Sequence, residues 1–275
     1  MDNTIINSTK VNTRLLHVAN TILCNYSMTN TPDLINGRMG VCLFLYEYAR
    51  LTGIKEYENI ADDMIDFILN ILHKDQNEEN VSNLSGIGIG VIYLITHNFL
   101  EDTDEHDSLE EVDLFLQKTI ETAKMPSEMI TQSALYFIYR FLHYRDGIER
   151  KCYHKLARQI LILFQDYEDK DGEDNIILNF ILQNVKLICI SSQNEEKFLK
   201  VATSPSEMGL DYNLKSLNAE KMWYNFLFNK AFHERELNDD TLLNLCQNCF
   251  YDADRIVGFL CSYGLILMYL DNLKS

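Results

Sequence analysis

The sequence predicts an all-α protein, and three observations carry that expectation. Proline is scarce, 3 residues in 275, so little interrupts the backbone hydrogen-bond ladder that proline breaks. Apolar residues recur at intervals of three and four, which places them on one face of a helix. No stretch alternates polar and apolar residues for long enough to make a strand.

The elements follow in order. Thr9 to Cys24 reads as a first outer helix. Ile60, Met64, Ile65, Ile68, Ile71 and Leu72, interleaved with Asp62, Asp63, Asp66 and Asn70, make an amphipathic helix. Leu109, Val112, Leu116 and Ile120 repeat the pattern behind Ser108, a suitable N-cap, with Glu110 and Glu111 in the first turn. Cys152, Leu156, Ile160 and Leu163, with Phe164, supply another. Between these lie segments apolar nearly all round: Met39 to Ala49, Ile87 to Ile95, Ala134 to Leu142, Ile176 to Ile190, Met222 to Phe232 and Ile256 to Leu270. A helix with no polar face must be enclosed by protein, so these form an inner layer and the amphipathic helices an outer one. The inner helices begin near Asn36, Gly86, Ser127, Glu173, Leu217 and Ala253, on average somewhat under about 45 residues apart, the spacing of helical-hairpin repeats. That makes about twelve helices, or six hairpins. No linker rich in Gly, Ser or Pro divides the chain, so residues 1–275 read as one domain.

Two inner segments also resemble each other. Asn36-Gly37-Arg38-Met39-Gly40-Val41-Cys42 precedes Gly86-Ile87-Gly88-Ile89-Gly90-Val91-Ile92 by about 50 residues, and Gly258 to Leu267 is related to both. A helical glycine costs roughly 0.5–1 kcal/mol against alanine, so its recurrence calls for a reason. Close approach of neighbouring helices supplies one.

Composition narrows the function classes. Lys plus Arg number 24 against 41 Asp plus Glu, a formal charge of −17, the wrong sign for nucleic acid or an anionic membrane surface. The longest nearly unbroken apolar run, Ile256 to Leu270, is about 15 residues, short of the roughly 18 that a membrane span needs. A polar amino terminus without a leader pattern and 7 cysteines, an odd number, lead us to expect free thiols in a reducing cytoplasm.

Individual motifs are sparse. Gly86-Ile87-Gly88-Ile89-Gly90 lacks the spacing and preceding strand of a dinucleotide fingerprint and reads as helix packing. Cys246 and Cys249 form the only C-x-x-C, with Cys261 and His233 within reach in sequence. They share a stripe with Leu242, Leu245 and Phe250, where cysteine behaves as a small hydrophobe. No cofactor is expected; were a metal held, Cys246, Cys249 and His233 are the residues that would hold it. The acidic stretches 102–107 and 169–174 do not match a calcium loop. No H-E-x-x-H and no G-x-S-x-G occurs. Polar residues gather near the starts of inner helices: Asn36, Arg38, Asn83, Ser85, Gln132, Asn175, Asp254, Arg255 and Ser262. In a closed ring of hairpins those ends surround one depression, where oriented N–H groups favour an anion; ordinary helix capping accounts for the same residues. Asn36, Arg38, Ser85, Gln132, Asp254, Arg255 and Ser262 are the candidate ligand-binding set.

The run Leu34 to Gly53, followed by Tyr57 and Ala61, resembles a repeat of the lanthionine synthetase C-like (LanC-like) family: a glycine-bearing inner helix, a Thr-Gly turn, a Tyr and an outer helix. Leu84 to Gly90 is similar to the family's next repeat, and the segment ending Tyr263-Gly264-Leu265 to its last. The resemblance implies an α/α toroid. In the family's cyclases a zinc held by two cysteines and a histidine activates a peptide cysteine for addition to a dehydrated Ser or Thr, and a Cys-His-Gly triplet and a Trp-Cys pair mark that site. Here Cys246 is followed by Gln247 and the only tryptophan, Trp223, by Tyr224. The resemblance therefore implies a LanC-like protein without the zinc site: an accessory or peptide-binding component of lanthipeptide-type modification, whose partner is a peptide substrate or a modification enzyme. Two alternatives stand beside it. One is a glycosidase or lyase of the toroid type, which needs two cavity carboxylates. The other is a helical-repeat interaction scaffold.

Overall fold

The computed structural model describes residues 2–29, 31–72, 81–101, 109–144, 148–165, 176–193, 223, 226–227 and 253–272. Among these residues there are nine α-helices and no strand: α1 (Asp2–Asn25), α2 (Arg38–Thr52), α3 (Lys55–Leu72), α4 (Val81–Thr96), α5 (Glu110–Thr122), α6 (Glu128–His143), α7 (Arg150–Phe164), α8 (Ile176–Ser191) and α9 (Ala253–Asn272). The all-α class expected from the sequence is the one observed. The chain divides into two compact units, Met1–Ile68 with Asp211–Ser275, and Leu69–Leu210.

In the first unit α9 packs against both α1 and α2. Helix α2 is buried without a break from Met39 to Tyr46, as an inner helix with no polar face must be. It ends where the Thr-Gly turn was expected. Gly53 adopts a left-handed conformation, φ 70°, and its N–H bonds the Ala49 carbonyl at 2.7 Å, a helix stop that a residue with a Cβ makes poorly. Among its described side chains, helix α3 turns Ala61, Met64, Ile65 and Ile68 inward and leaves Ile60 half-buried; the side chains of Ile71 and Leu72, expected on the same stripe, lie outside the described residues. Gly264 of α9 receives the Phe44 ring: a Cβ there would overlap it.

In the second unit α4 packs closely against α6 and α7 against α8. Helix α4 is buried from Ile87 to Leu94 and α6 from Gln132 to Phe141. Gly88 does for this unit what Gly264 does for the other, since a Cβ at Gly88 would overlap the ring of Tyr136. Ser127 caps α6, its hydroxyl accepting from the Ile130 N–H. Helix α5 buries Val112, Leu116 and Ile120 as expected, but the residue flanking it is Leu109, with no side-chain cap; Ser108 lies outside the described residues. Helix α4 begins at Val81, five residues before the expected Gly86, because Val81 and Leu84 are themselves core residues.

Helix α8 departs from the inner-helix expectation. Asn179, Gln183, Lys186 and Ile190 are exposed, and their spacing puts them on one face. Three of the four are polar, so the solvent face was already written in a segment whose high average hydropathy concealed it. Of the inner segment expected at Met222 to Phe232, only residues 223 and 226–227 are described.

Candidate functional site

Each unit holds part of the candidate binding set, and each part is described by itself. In the first unit, Asn36 and Arg38 flank Gly37 at the entry to α2. The chain from Thr31 to Asn36 folds back over the helix start. The Arg38 N–H bonds the Thr31 carbonyl at 2.9 Å and the Met39 N–H the Asp33 carbonyl at 3.2 Å. Two of the N–H groups that a helix terminus leaves free are thus satisfied by the chain itself. The Asp33 carboxylate accepts the Asn36 N–H at 2.8 Å. Asn36 Oδ1 is buried and accepts no hydrogen bond.

The loop is locked from two sides. Gly258 of α9 lies against the Ile35 carbonyl and the Asn36 Cα, so near that no Cβ would fit. Trp223, fully buried, donates its indole N–H to the Ile35 carbonyl at 3.0 Å and lies against Gly40. The first turns of α9 and the start of α2 therefore meet at this loop. Asp254 and Arg255 occupy the first turn of α9, but their side chains lie outside the described residues. Ser262, one helical stretch further, is fully buried.

The Arg38 side chain reaches outward from this lock. Its Nε–H bonds the Thr29 carbonyl at 3.0 Å, and its guanidinium carbon stands 4.4 Å from the centre of the Phe67 ring. Phe67 is 45% exposed, so the stacked pair faces solvent.

In the second unit, Ser85 of α4 is fully buried with an Oγ that has no hydrogen-bond partner, and Gln132 of α6 is buried. The polar centre of this unit lies elsewhere, at residues the sequence reading passed over. Arg140, on the inner helix α6, is wholly buried and pairs with Asp113 of α5 at 2.8 Å. Tyr136 donates its hydroxyl to the same carboxylate. Burial, and then the Asp113 charge, push the Tyr136 phenol well above its ordinary range, so it remains a neutral donor. The signal was present: Arg140 is the one charge in an otherwise apolar run, and Asp113 stands beside Val112 on the inward face of α5. A lone charge on an enclosed helix implies a buried partner.

A second missed cluster joins α7 to α8. His154 Nδ1 lies 3.0 Å from Ser192 Oγ, 3.2 Å from the Cys189 carbonyl and 3.9 Å from Cys189 Sγ. The Ser192 hydroxyl donates to the Cys189 carbonyl, which leaves Nδ1 as the proton donor and His154 as a cap on the carboxyl end of α8.

Cys42 and Cys261 are fully buried and burial pushes both thiols up, with the Asp62 charge adding to the effect at Cys42. Burial therefore keeps both as neutral thiols at ordinary pH. Cys152 bonds Gln117, and Cys189 meets one histidine where a zinc site needs three or four donors. Among the described residues no group of three or more His, Cys, Asp or Glu could hold a metal. Cys246, Cys249 and His233 lie outside the described residues.

With the fold and these sites in view, comparison with known proteins decides the family. The model of the lanthionine synthetase C-like proteins matches residues 29–197. This chain belongs to the LanC-like family. The match begins at the loop that enters α2 and runs past α8, so it takes in Asn36, Arg38, Ser85 and Gln132. No curated protein and no solved structure gave a significant match. The all-helical, glycine-bearing architecture is that of a LanC-like α/α repeat. No described helix is long and apolar enough to cross a membrane.

Proposed function

We propose that this LanC-like protein is a non-zinc accessory or peptide-binding component of lanthipeptide-type modification, working in the cytoplasm. Family membership over residues 29–197 carries the reading, because it makes a ribosomal peptide the natural ligand. The non-zinc half is supported by the sequence, which has neither the Cys-His-Gly triplet nor a Trp-Cys pair, and by the buried thiols of Cys42 and Cys261.

Charge suggests how a peptide arrives. A surface carrying a net −17 draws in a cationic, unfolded peptide, accelerating encounter more than it deepens affinity. Arg38, Asn36 and the start of α9 then offer a rigid contact point. The test uses a dye-labelled Lys-rich peptide containing Ser and Cys, with a Glu-rich peptide as control. Saturable binding of the Lys-rich peptide, weakened by added salt, is expected. Equal binding of both peptides, or of neither, overturns the reading. Adding zinc and a dehydrated peptide should consume no thiol; zinc-dependent thiol loss would restore a cyclase.

A further inference from the structure

We propose that Arg38 and Asn36 form a receptor for the carboxyl terminus of a peptide, Arg38 taking the carboxylate and Asn36 the last peptide N–H. This rests on the peptide-binding reading and names the end of the peptide that is held.

The argument starts from how the guanidinium is fixed. Nε–H is used by the Thr29 carbonyl and one face of the planar guanidinium is covered by the Phe67 ring. Both contacts leave the two terminal nitrogens free, and Arg38 makes no ion pair with any described residue. In a chain with 41 acidic side chains an unpaired arginine of this kind is notable, the more so because Asp33, three residues from Asn36, has its carboxylate on the Asn36 N–H. The free edge of a guanidinium carries two parallel donors that match a carboxylate bidentately. Its stacking on Phe67 and its bond to Thr29 pre-order the side chain, so less entropy is lost on binding than for a freely exposed arginine.

The orphan acceptor supplies the second half. Asn36 Oδ1 lies out of water without a donor, an unfavourable state until a donor arrives. The amide torsion that aims it is a soft one, and the residue as a whole is only half-buried. Arg38 and Asn36 stand two residues apart in sequence at the same helix entry, so a ligand engaging both would present an anionic acceptor and a neighbouring N–H. The last residue of a peptide has both; a phosphate or a simple carboxylate has only the first.

The lock around the loop also provides the readout. Trp223 is the only tryptophan, and its indole N–H bonds the Ile35 carbonyl, next to Asn36. In the full chain labelled with nitrogen-15 this gives one indole resonance beside the site. Titration with N-acetylglycine should shift it saturably. N-acetylglycinamide, lacking the carboxylate, should leave it in place. Acetate, lacking the N–H, should bind roughly tenfold more weakly, the loss expected for one satisfied hydrogen bond to a buried group. Arg38→Gln should abolish the N-acetylglycine response and Arg38→Lys weaken it by about tenfold or more, since lysine keeps the charge and loses the fork. Asn36→Ala should bring N-acetylglycine down to acetate. An unchanged indole position in each free variant certifies the fold. No saturable shift with N-acetylglycine, equal binding of the amide, or full binding by Arg38→Gln each overturns the proposal. The peptide-binding reading is separated by the dye-labelled peptide: binding that is indifferent to amidation of its carboxyl end sinks the receptor and spares the reading, whereas N-acetylglycine binding with no peptide binding does the reverse.

Discussion

Both units contain the same polar pair, an inner-helix tyrosine donating to an outer-helix aspartate, and they treat it differently. In the first unit Tyr46 of α2 bonds Asp62 of α3 at 2.7 Å, and Asp62 is exposed. In the second, Tyr136 of α6 bonds Asp113 of α5, which is only 7% exposed and is paired with the wholly buried Arg140. Water stabilises the first carboxylate; the second, nearly cut off from water, is stabilised by a cation carried in with it. A hydrogen bond at a solvated edge contributes little, while a buried charge left alone is costly. The geometry of the pair is shared, and burial alone sets its energetic weight.

The largest predicted effect follows from that contrast. Asp113→Ala should destabilise the protein by about 3–5 kcal/mol in urea unfolding, because it strands the Arg140 charge in the core. Asp62→Ala should cost about 1 kcal/mol. Equal effects would break the comparison. Replacing both members, Asp113→Leu with Arg140→Met, should be milder than Asp113→Ala alone, since no charge is then left unpaired.

The glycine contacts should behave alike in the two units. Gly88→Ala drives a methyl into Tyr136 and Gly264→Ala into Phe44, and each should cost about 1–3 kcal/mol, the usual range for overpacking. Gly40→Ala adds a spectroscopic sign: it presses on Trp223, so the emission of this single buried indole should move to the red. No shift would mean that Trp223 does not rest on α2.

The smallest effect is electrostatic. The Lys155 ammonium, 2.8 Å from Glu121, and then Gln117, hold the Glu121 carboxyl below its ordinary range. A lowered folded-state pKa gives stability that is present above the unfolded pKa and lost as pH falls through the folded value. Lys155→Gln should therefore cost about 0.2–1 kcal/mol at neutral pH, discounted for a lysine that is 64% exposed, and nothing in strong acid. A difference that grew on acidification would have the wrong sign.

What the sequence disclosed follows from what periodicity encodes. The stripes of α3, α5 and α7 and the enclosed runs of α2, α4 and α6 were legible, because burial writes itself into hydropathy. The glycines of α2, α4 and α9 were legible as close contacts, but not their partners: that Gly264 faces Phe44 and Gly258 faces Ile35 depends on chain segments far apart in sequence. Arg140 and Asp113 escaped notice for the same reason, as averaging over an apolar helix hides one charge and its partner is 27 residues away. Of the binding set, Asn36 and Arg38 could be found as polar residues at a helix entry. Only three dimensions show that the Thr31 and Asp33 carbonyls already bond the first N–H groups of that entry, while the Arg38 Nε–H bonds the Thr29 carbonyl and its guanidinium lies over Phe67.

The central claim is that this LanC-like chain binds its partner without a thiol-activating zinc. Elemental analysis of the untagged protein, alongside a free-thiol count in denaturant, tests it most directly. The account predicts zinc well below one equivalent and all 7 thiols titratable. Near-stoichiometric zinc, lost when Cys246 or Cys249 becomes Ala, would contradict it.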